Sequence, residues 1–208
     1  MTIDPELQVV TLKIDGASLE FKRVGILFKE SSNSTSIFSR KNNKSLLKTV
    51  QHPKYSSLRH EAEAKYREHL DAPLGEFLFR LKNSGDPFYQ RFLNKHGDLE
   101  YCEFALESGP ALNSKGLYLF RHGGSIRYLG RCRDSFKKRF NSGYGKIAPK
   151  NCFLDGQSTN CRINALVAIH RNDLSIHLCP LGDDDVIARS EACLIQELHP
   201  EWNLAVPW

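Results

Sequence analysis

Apolar and polar positions alternate twice near the start of the chain, and then the period changes. Val9-Val10-Thr11-Leu12-Lys13-Ile14 runs into Asp15-Gly16, a turn signal, and Ala17 to Phe21 resumes the alternation, which predicts a β-hairpin. Val24 to Phe28 predicts a third strand. Glu30 to Ser45 is rich in Ser, Asn and Lys around one apolar island, Ile37-Phe38, and reads either as a mobile basic arm or as a plain surface loop. From Ser56 the period is helical: Leu58, Ala62, Tyr66 and Leu70 share one stripe that stops before Pro73. Two short helices follow, over Gly75 to Lys82 and Pro87 to Lys95. Ser108-Gly109-Pro110 then marks a break, which predicts one domain over 1–108 and another over 109–208.

The second half is better punctuated. Gly116 to Arg121 and Ser125 to Gly130 are strands joined by His122-Gly123-Gly124, with glycine where a tight turn needs positive φ. Asp134 is the predicted cap of a helix through Phe140. Ser142 to Asn160 is irregular, Ile163 to Ile169 is helical, and Leu174 to Leu178 is a third strand ended by Pro180. Asp183-Asp184-Asp185 opens a last helix, favourably against its dipole, and that helix ends before Pro200. The order β-β-α-(α)-β-α predicts a small three-stranded α+β domain, preceded by a smaller domain of mixed strands and helices.

Composition excludes several classes. With 208 residues, 40% hydrophobic and 25% charged, the chain is neither collagen-like nor wholly disordered. Its apolar runs are a few residues long, far short of the ~20 of a membrane helix. No secretory signal pattern opens it, so no membrane partner and a cytoplasmic location are expected. Six cysteines without a Cys-x-x-Cys pair argue against a zinc ribbon and a disulfide framework. The net charge of +5 hides its distribution: 22–54 carries +7 and 114–150 carries +9, while 1–21, 55–113 and 151–208 carry −3, −3 and −5. Two cationic segments are what a protein facing a polyanion shows, although lysine and arginine also coat solvated surfaces. The basic stretch over 30–45, with Arg40, Lys41 and Lys44, and the residues Lys137, Lys138 and Lys146 are therefore candidate DNA contacts. Gln157, Asn160 and Arg162, in an amide-rich loop over 151–162, are candidates too, although those amides can equally satisfy the loop's own turns.

Glu191 is the single chemical anomaly in the last helix. It sits on the apolar stripe of Ile187, Leu194, Ile195 and Leu198, where a carboxylate either lies at the stripe's edge and reaches solvent or is costly without a partner or a metal. Gly116-Leu117-Tyr118 on one strand and Tyr128-Leu129-Gly130 on the next, with Arg139 on the following helix, Glu191 on a later one and Asn203 in Pro200-Glu201-Trp202-Asn203, resemble the paired motifs of the GIY-YIG nuclease family. Leu replaces Ile in both motifs. The resemblance covers about residues 114–206 and implies metal-dependent hydrolysis of DNA phosphodiester bonds.

It also implies roles. Tyr118 and Tyr128, in either order, would serve as general base and as hydrogen-bond partner of the attacking water or phosphate, given nearby cations to lower a phenol pKa of ~10. Arg139 would stabilise charge growing on the phosphate. Glu191 would hold one divalent cation, Mg²⁺ or Mn²⁺. Asn203 would anchor Glu191 or the tyrosines, and Arg131 would help activate the base. Relatives place a catalytic side chain one helical turn after the Arg; here Gly143 stands there and Tyr144 follows. The size of the chain suggests a restriction-type or otherwise sequence-directed enzyme, acting as a homodimer or by successive nicks. The alternatives are a repair, mobile-element or structure-specific nuclease, and a catalytically silent nucleic-acid-binding module.

Overall fold

The computed structural model describes residues 8–14, 16–29 and 33–204. The architecture is mixed α+β, and contacts group the chain into two compact units. One takes its described residues from 8–29, 104–145 and 169–204; the other spans 33–103 and 146–168. The predicted division at 108/109 cuts through the first unit, because the N-terminal hairpin pairs with a strand near the C-terminus.

That pairing makes the first unit. Strands β1 (Val9–Ile14), β2 (Ala17–Val24), β5 (Gly116–His122), β6 (Ser125–Cys132) and β7 (Leu174–Pro180) form one antiparallel sheet in the order β1-β2-β7-β5-β6. β7 is hydrogen-bonded on both sides, with Lys22 opposite Leu178 and Tyr118 opposite Leu178. The three predicted C-terminal strands thus exist, but the sheet has five. Strand β3 (Ile26–Phe28) pairs separately with β4 (Phe104–Leu106).

Side chains alternate across the sheet, so each face has its own core. Leu117, Leu119 and Leu129 meet Ile187, Leu194 and Ile195 of helix α5 (Asp184–Leu198) on one face. Tyr118 and Phe120, with Tyr128 packed against both, meet Phe136, Phe140 and Tyr144 on the other. Asp183 caps α5 as its sequence suggests, accepting from the N–H groups of Asp185 and Val186 at 2.8 and 2.9 Å.

The second unit packs α1 (Leu46–Val50), α2 (Arg59–Lys65), α3 (Leu74–Asn83) and α4 (Ser158–His170) with several 3-10 turns around a core rich in aromatic rings. The stretch over 33–45 is not a mobile arm: Ile37 and Phe38 are buried in that core, and Leu74 and Gly75 donate backbone hydrogen bonds to Lys44 and Lys41. Glu30 lies outside the described residues. The stripe from Leu58 to Leu70 is broken after Lys65, because the Tyr66 ring stacks on Phe88 and its hydroxyl donates to Asp86 at 2.7 Å. Pro87–Phe92 is a 3-10 turn rather than an α-helix, while α4 starts five residues earlier than predicted, at Ser158. Asn164, fully buried in α4, accepts from Cys102 N–H at 2.9 Å and donates to its C=O at 2.8 Å, standing in for a strand neighbour.

The six cysteines are free thiols, all buried except Cys193. Among the described residues no helix is long and apolar enough to cross a membrane. His177 on β7 is fully buried, and desolvation lowers its pKa to about 4. The unfolded chain, with an ordinary histidine near 6.5, therefore takes up a proton in the window from pH 6.5 to 4 that the folded chain refuses. Stability is predicted to fall as pH drops through that window, by at most about 1.4 kcal/mol per pH unit. Urea titrations of the wild type and of His177→Asn should show this acid limb flattened in the variant.

Candidate active site

The groups that bear on chemistry are held by β5, β6, the turn after β6, α5 and the C-terminal segment. Gly116 has φ +147° and opens β5 where a Cβ would stand 2.1 Å from Cys179 O, so the close pairing with β7 demands glycine. Gly130, opposite Tyr118 on β6, answers a different need. A Cβ there would lie 2.6 Å from the Tyr118 hydroxyl oxygen, so this glycine makes room for the phenol. Both glycines of the paired motifs thus serve the placement of one tyrosine.

The helix after β6 is the main departure from expectation. Ser135, not Asp134, caps it, with its hydroxyl accepting from Lys138 N–H at 3.2 Å, while Asp134 pairs with the Lys138 ammonium. The segment Lys138–Tyr144 is then π-helical, and Gly145 N–H reaches back five residues to Phe140 O. A wider turn puts positions i and i+5 on one side. Tyr144, five residues after Arg139, consequently lies beside it, with the guanidinium carbon 5.6 Å from the ring centre. The Tyr144 and Tyr118 hydroxyls are 2.9 Å apart. An α-helix would have presented Gly143 instead. Gly145 closes the turn beneath Phe104 O, which a Cβ would meet at 2.0 Å.

The tyrosines form a closed cluster. Tyr118 is 1% exposed and Tyr128 9%, with ring centres 6.1 Å apart. Burial raises the Tyr118 pKa well above that of an ordinary tyrosine, Tyr144 and Tyr128 add to the rise, and Arg139 opposes it only in part. Nearby cations were expected to ease ionisation of this phenol; desolvation outweighs them. Arg139 in turn is held more firmly protonated, because the hydroxyls of Tyr118, Tyr144 and Tyr128 overcome the opposing effect of its own burial.

Glu191 stands on the other face of the sheet. It is 9% exposed, with Oε2 3.1 Å from Arg131 Nε. Burial raises its pKa, and Arg131, Arg133 and Arg139 each oppose the rise. Arg139 is therefore the group that acts electrostatically on both the tyrosines and the carboxylate, round the edge strand β6.

Asn203 touches neither Glu191 nor a tyrosine ring in its recorded hydrogen bonds. Its amide accepts from Leu129 N–H at 3.0 Å and donates to Leu129 C=O at 2.8 Å, and Trp202 N–H donates to Arg127 O at 2.7 Å. β6 is an edge strand, so these contacts finish its outer ladder between the two motif residues Tyr128 and Gly130. The signal was the amide itself, which carries a carbonyl acceptor and an N–H donor side by side, matching the two backbone groups of one strand residue.

The candidate DNA contacts are divided between the units. Lys137 and Lys138 belong to the sheet unit and are exposed. Arg40, Lys41, Lys44, Lys146, Gln157, Asn160 and Arg162 belong to the helical unit. Of these, Lys41 lies 4.3 Å over the Phe153 ring, and Asn160 is buried with its amide donating to Gln157 at 2.7 Å, so those two side chains already have structural tasks.

The chain matches no family model, no curated protein and no solved structure.

Replacing Asn203 by Ala leaves both Leu129 backbone groups without their side-chain partner. The predicted cost is about 1–3 kcal/mol. Amide hydrogen exchange should show protection lost at Leu129 while that of Leu119, on the central strand, changes far less.

Proposed function

We propose that the sheet unit hydrolyses phosphodiester bonds in DNA with the help of one divalent cation, in the manner of the GIY-YIG nucleases that its motifs resemble. The observation that carries the reading is the position of Arg139. A single guanidinium stands beside Tyr144, acts on Tyr118 and Tyr128, and opposes the raised pKa of Glu191. The π-helical turn supports it further, because it supplies Tyr144 where α-helical spacing offers only Gly143.

In this reading Arg139 donates to the non-bridging oxygens as charge grows there. The hydroxyls of Tyr118 and Tyr144, 2.9 Å apart, hold the attacking water's proton between two oxygens. Tyr128, the more exposed of the motif pair, orients the water or the phosphate. Arg131 keeps Glu191 in place through the 3.1 Å contact. The donor set suits a hard, hydrated ion. Among the described residues no group of three His, Cys, Asp or Glu side chains could cage a metal, and Mg²⁺ or Mn²⁺ takes one carboxylate together with water and substrate oxygens. Glu191 would be the protein ligand, and the ion would supply polarisation of the phosphate.

A second reading has its own observation. The Tyr118 hydroxyl is shut in and its ionisation disfavoured, as befits a scaffold that binds nucleic acid without cutting it. Incubation of the full chain with plasmid and Mg²⁺ decides between them. The nuclease reading predicts cleavage that Glu191→Gln reduces at least about a hundredfold with DNA binding retained; intact plasmid with binding retained supports the silent module. Sequencing the cut ends separates sequence-directed from structure-directed cleavage, and the activity's dependence on protein concentration tests the homodimer.

The raised Tyr118 pKa fixes the sign of a further test. If the tyrosine pair accepts the proton, kcat/KM rises with pH from neutrality, about tenfold per unit, with no plateau below about pH 9. A plateau near pH 7 removes Tyr118 as the base.

A further inference from the structure

β7 carries a second polar cluster, on the face of the sheet away from the tyrosines. Arg23 on β2 is paired with His177, and Arg121 on β5 with Ser175, so these four side chains share one face and the two arginines flank β7. Strand spacing puts their backbones about 10 Å apart, a separation that two long guanidinium side chains can close on one small anion. A cavity of about 320 Å³ opens between them, lined also by Gly124, Asn172, Asp173 and Leu174.

Among the described residues the charges in this cavity are not balanced. Arg121 is 6% exposed, and its recorded hydrogen bond is Nη2 donating to Gly124 O at 2.6 Å, a neutral partner. Neither arginine forms an ion pair with a carboxylate among the described residues. Asp173 is the one acid among the described residues at the rim. Its Oδ2 accepts from Gly123 N–H at 3.0 Å and lies 3.9 Å from His122 Nε2, outside the arginine pair. A buried cation beside a second cation, with no counter-charge among the described residues, is costly to fold. The strain reaches the neighbours: Arg121 has its pKa lowered by burial and by Arg23, and both arginines help to hold His177 neutral.

We propose that this cavity binds a phosphate dianion, either free or as the terminal group of a small phosphate monoester. Two guanidinium forks, with one Arg121 N–H taken by Gly124 O, leave up to about nine N–H donors for a tetrahedral group with several acceptor oxygens, which a planar carboxylate uses less fully. The Ser175 hydroxyl, fixed by its 3.0 Å contact with His177 Nε2, and the Asn172 amide complete the polar wall. The volume is at the small end of ligand sites and suits a phosphate or a mononucleotide rather than a polymer. The site is independent of the hydrolytic reading, since it uses none of the same side chains.

Calorimetric titration of the full chain with inorganic phosphate, and separately with a nucleoside 5′-monophosphate at matched ionic strength, tests it. At least one probe is expected to bind with a Kd of about 1 mM or tighter. Comparable affinities identify the bare phosphate as the ligand, and a preference of about tenfold or more for the nucleotide identifies the monoester. Arg23→Gln, an exposed position chosen because substitution of buried Arg121 risks the fold, should raise that Kd at least about tenfold without lowering the unliganded melting temperature. Absence of heat with both probes overturns the proposal, as does a Kd that Arg23→Gln leaves unmoved.

Discussion

The first unit depends on one strand being paired on both sides. β7 lies between β2, from the start of the chain, and β5, from its middle, and every backbone group along its centre finds a partner in one or the other. Without β2, β7 would be an exposed edge; without β7, the motif hairpin of β5 and β6 would have no floor. The close approach at Gly116, where even a Cβ would collide with Cys179 O, measures how tightly that floor is laid. Everything chemically notable in this unit is arranged on the two faces of the resulting sheet, with the tyrosines on one and Glu191 and the two flanking arginines on the other.

Local signals made part of this legible. The β5–β6 hairpin followed from alternation and a Gly-Gly turn, α5 from its stripe and acidic cap, and α3 from its period, because in each the deciding interactions lie within a few residues. The β2–β7 pairing did not, since its partners are more than 150 residues apart and β2 offers no mark of which strand it joins. The π-helical turn was hidden for a related reason. Lys138 to Tyr144 carries no residue that forbids an α-helix, and the wider turn is fixed by the packing of Phe140 and Tyr144 against the sheet and of Gly145 against Phe104. The segment around Ile37-Phe38 misled in the opposite direction: a polar composition drew attention from two apolar residues that anchor it.

The five motif residues were placed on the right elements, yet two of their expected interactions changed. Asn203 completes an edge strand rather than steadying the carboxylate. Tyr118 meets more desolvation than cationic help. The second change has a simple origin. A phenol packed among Phe136, Phe140 and Tyr144 contributes to the core through its ring, and the same packing removes the water that would stabilise its anion. Stability of the aromatic face and reactivity of the hydroxyl are therefore opposed, and the hydrogen bond to Tyr144 adds to the rise in pKa that burial begins.

Charge follows the same logic of folding rather than of sequence blocks. The strongly cationic segment 114–150 does not form an unbroken positive surface, because the acidic segment that follows it is folded onto it. Lys115 meets Asp184, Arg127 meets Glu201 and Arg131 meets Glu191, each a pairing of the +9 segment with the −5 one. What survives is selective. Arg139 keeps its charge against tyrosines, Arg121 is buried against a neutral carbonyl, and Lys137 and Arg133 stay exposed. A buried cation that folding leaves without an acid among the described residues is stronger evidence of an anionic ligand than any count along the sequence, because burying a charge without a counter-charge is costly.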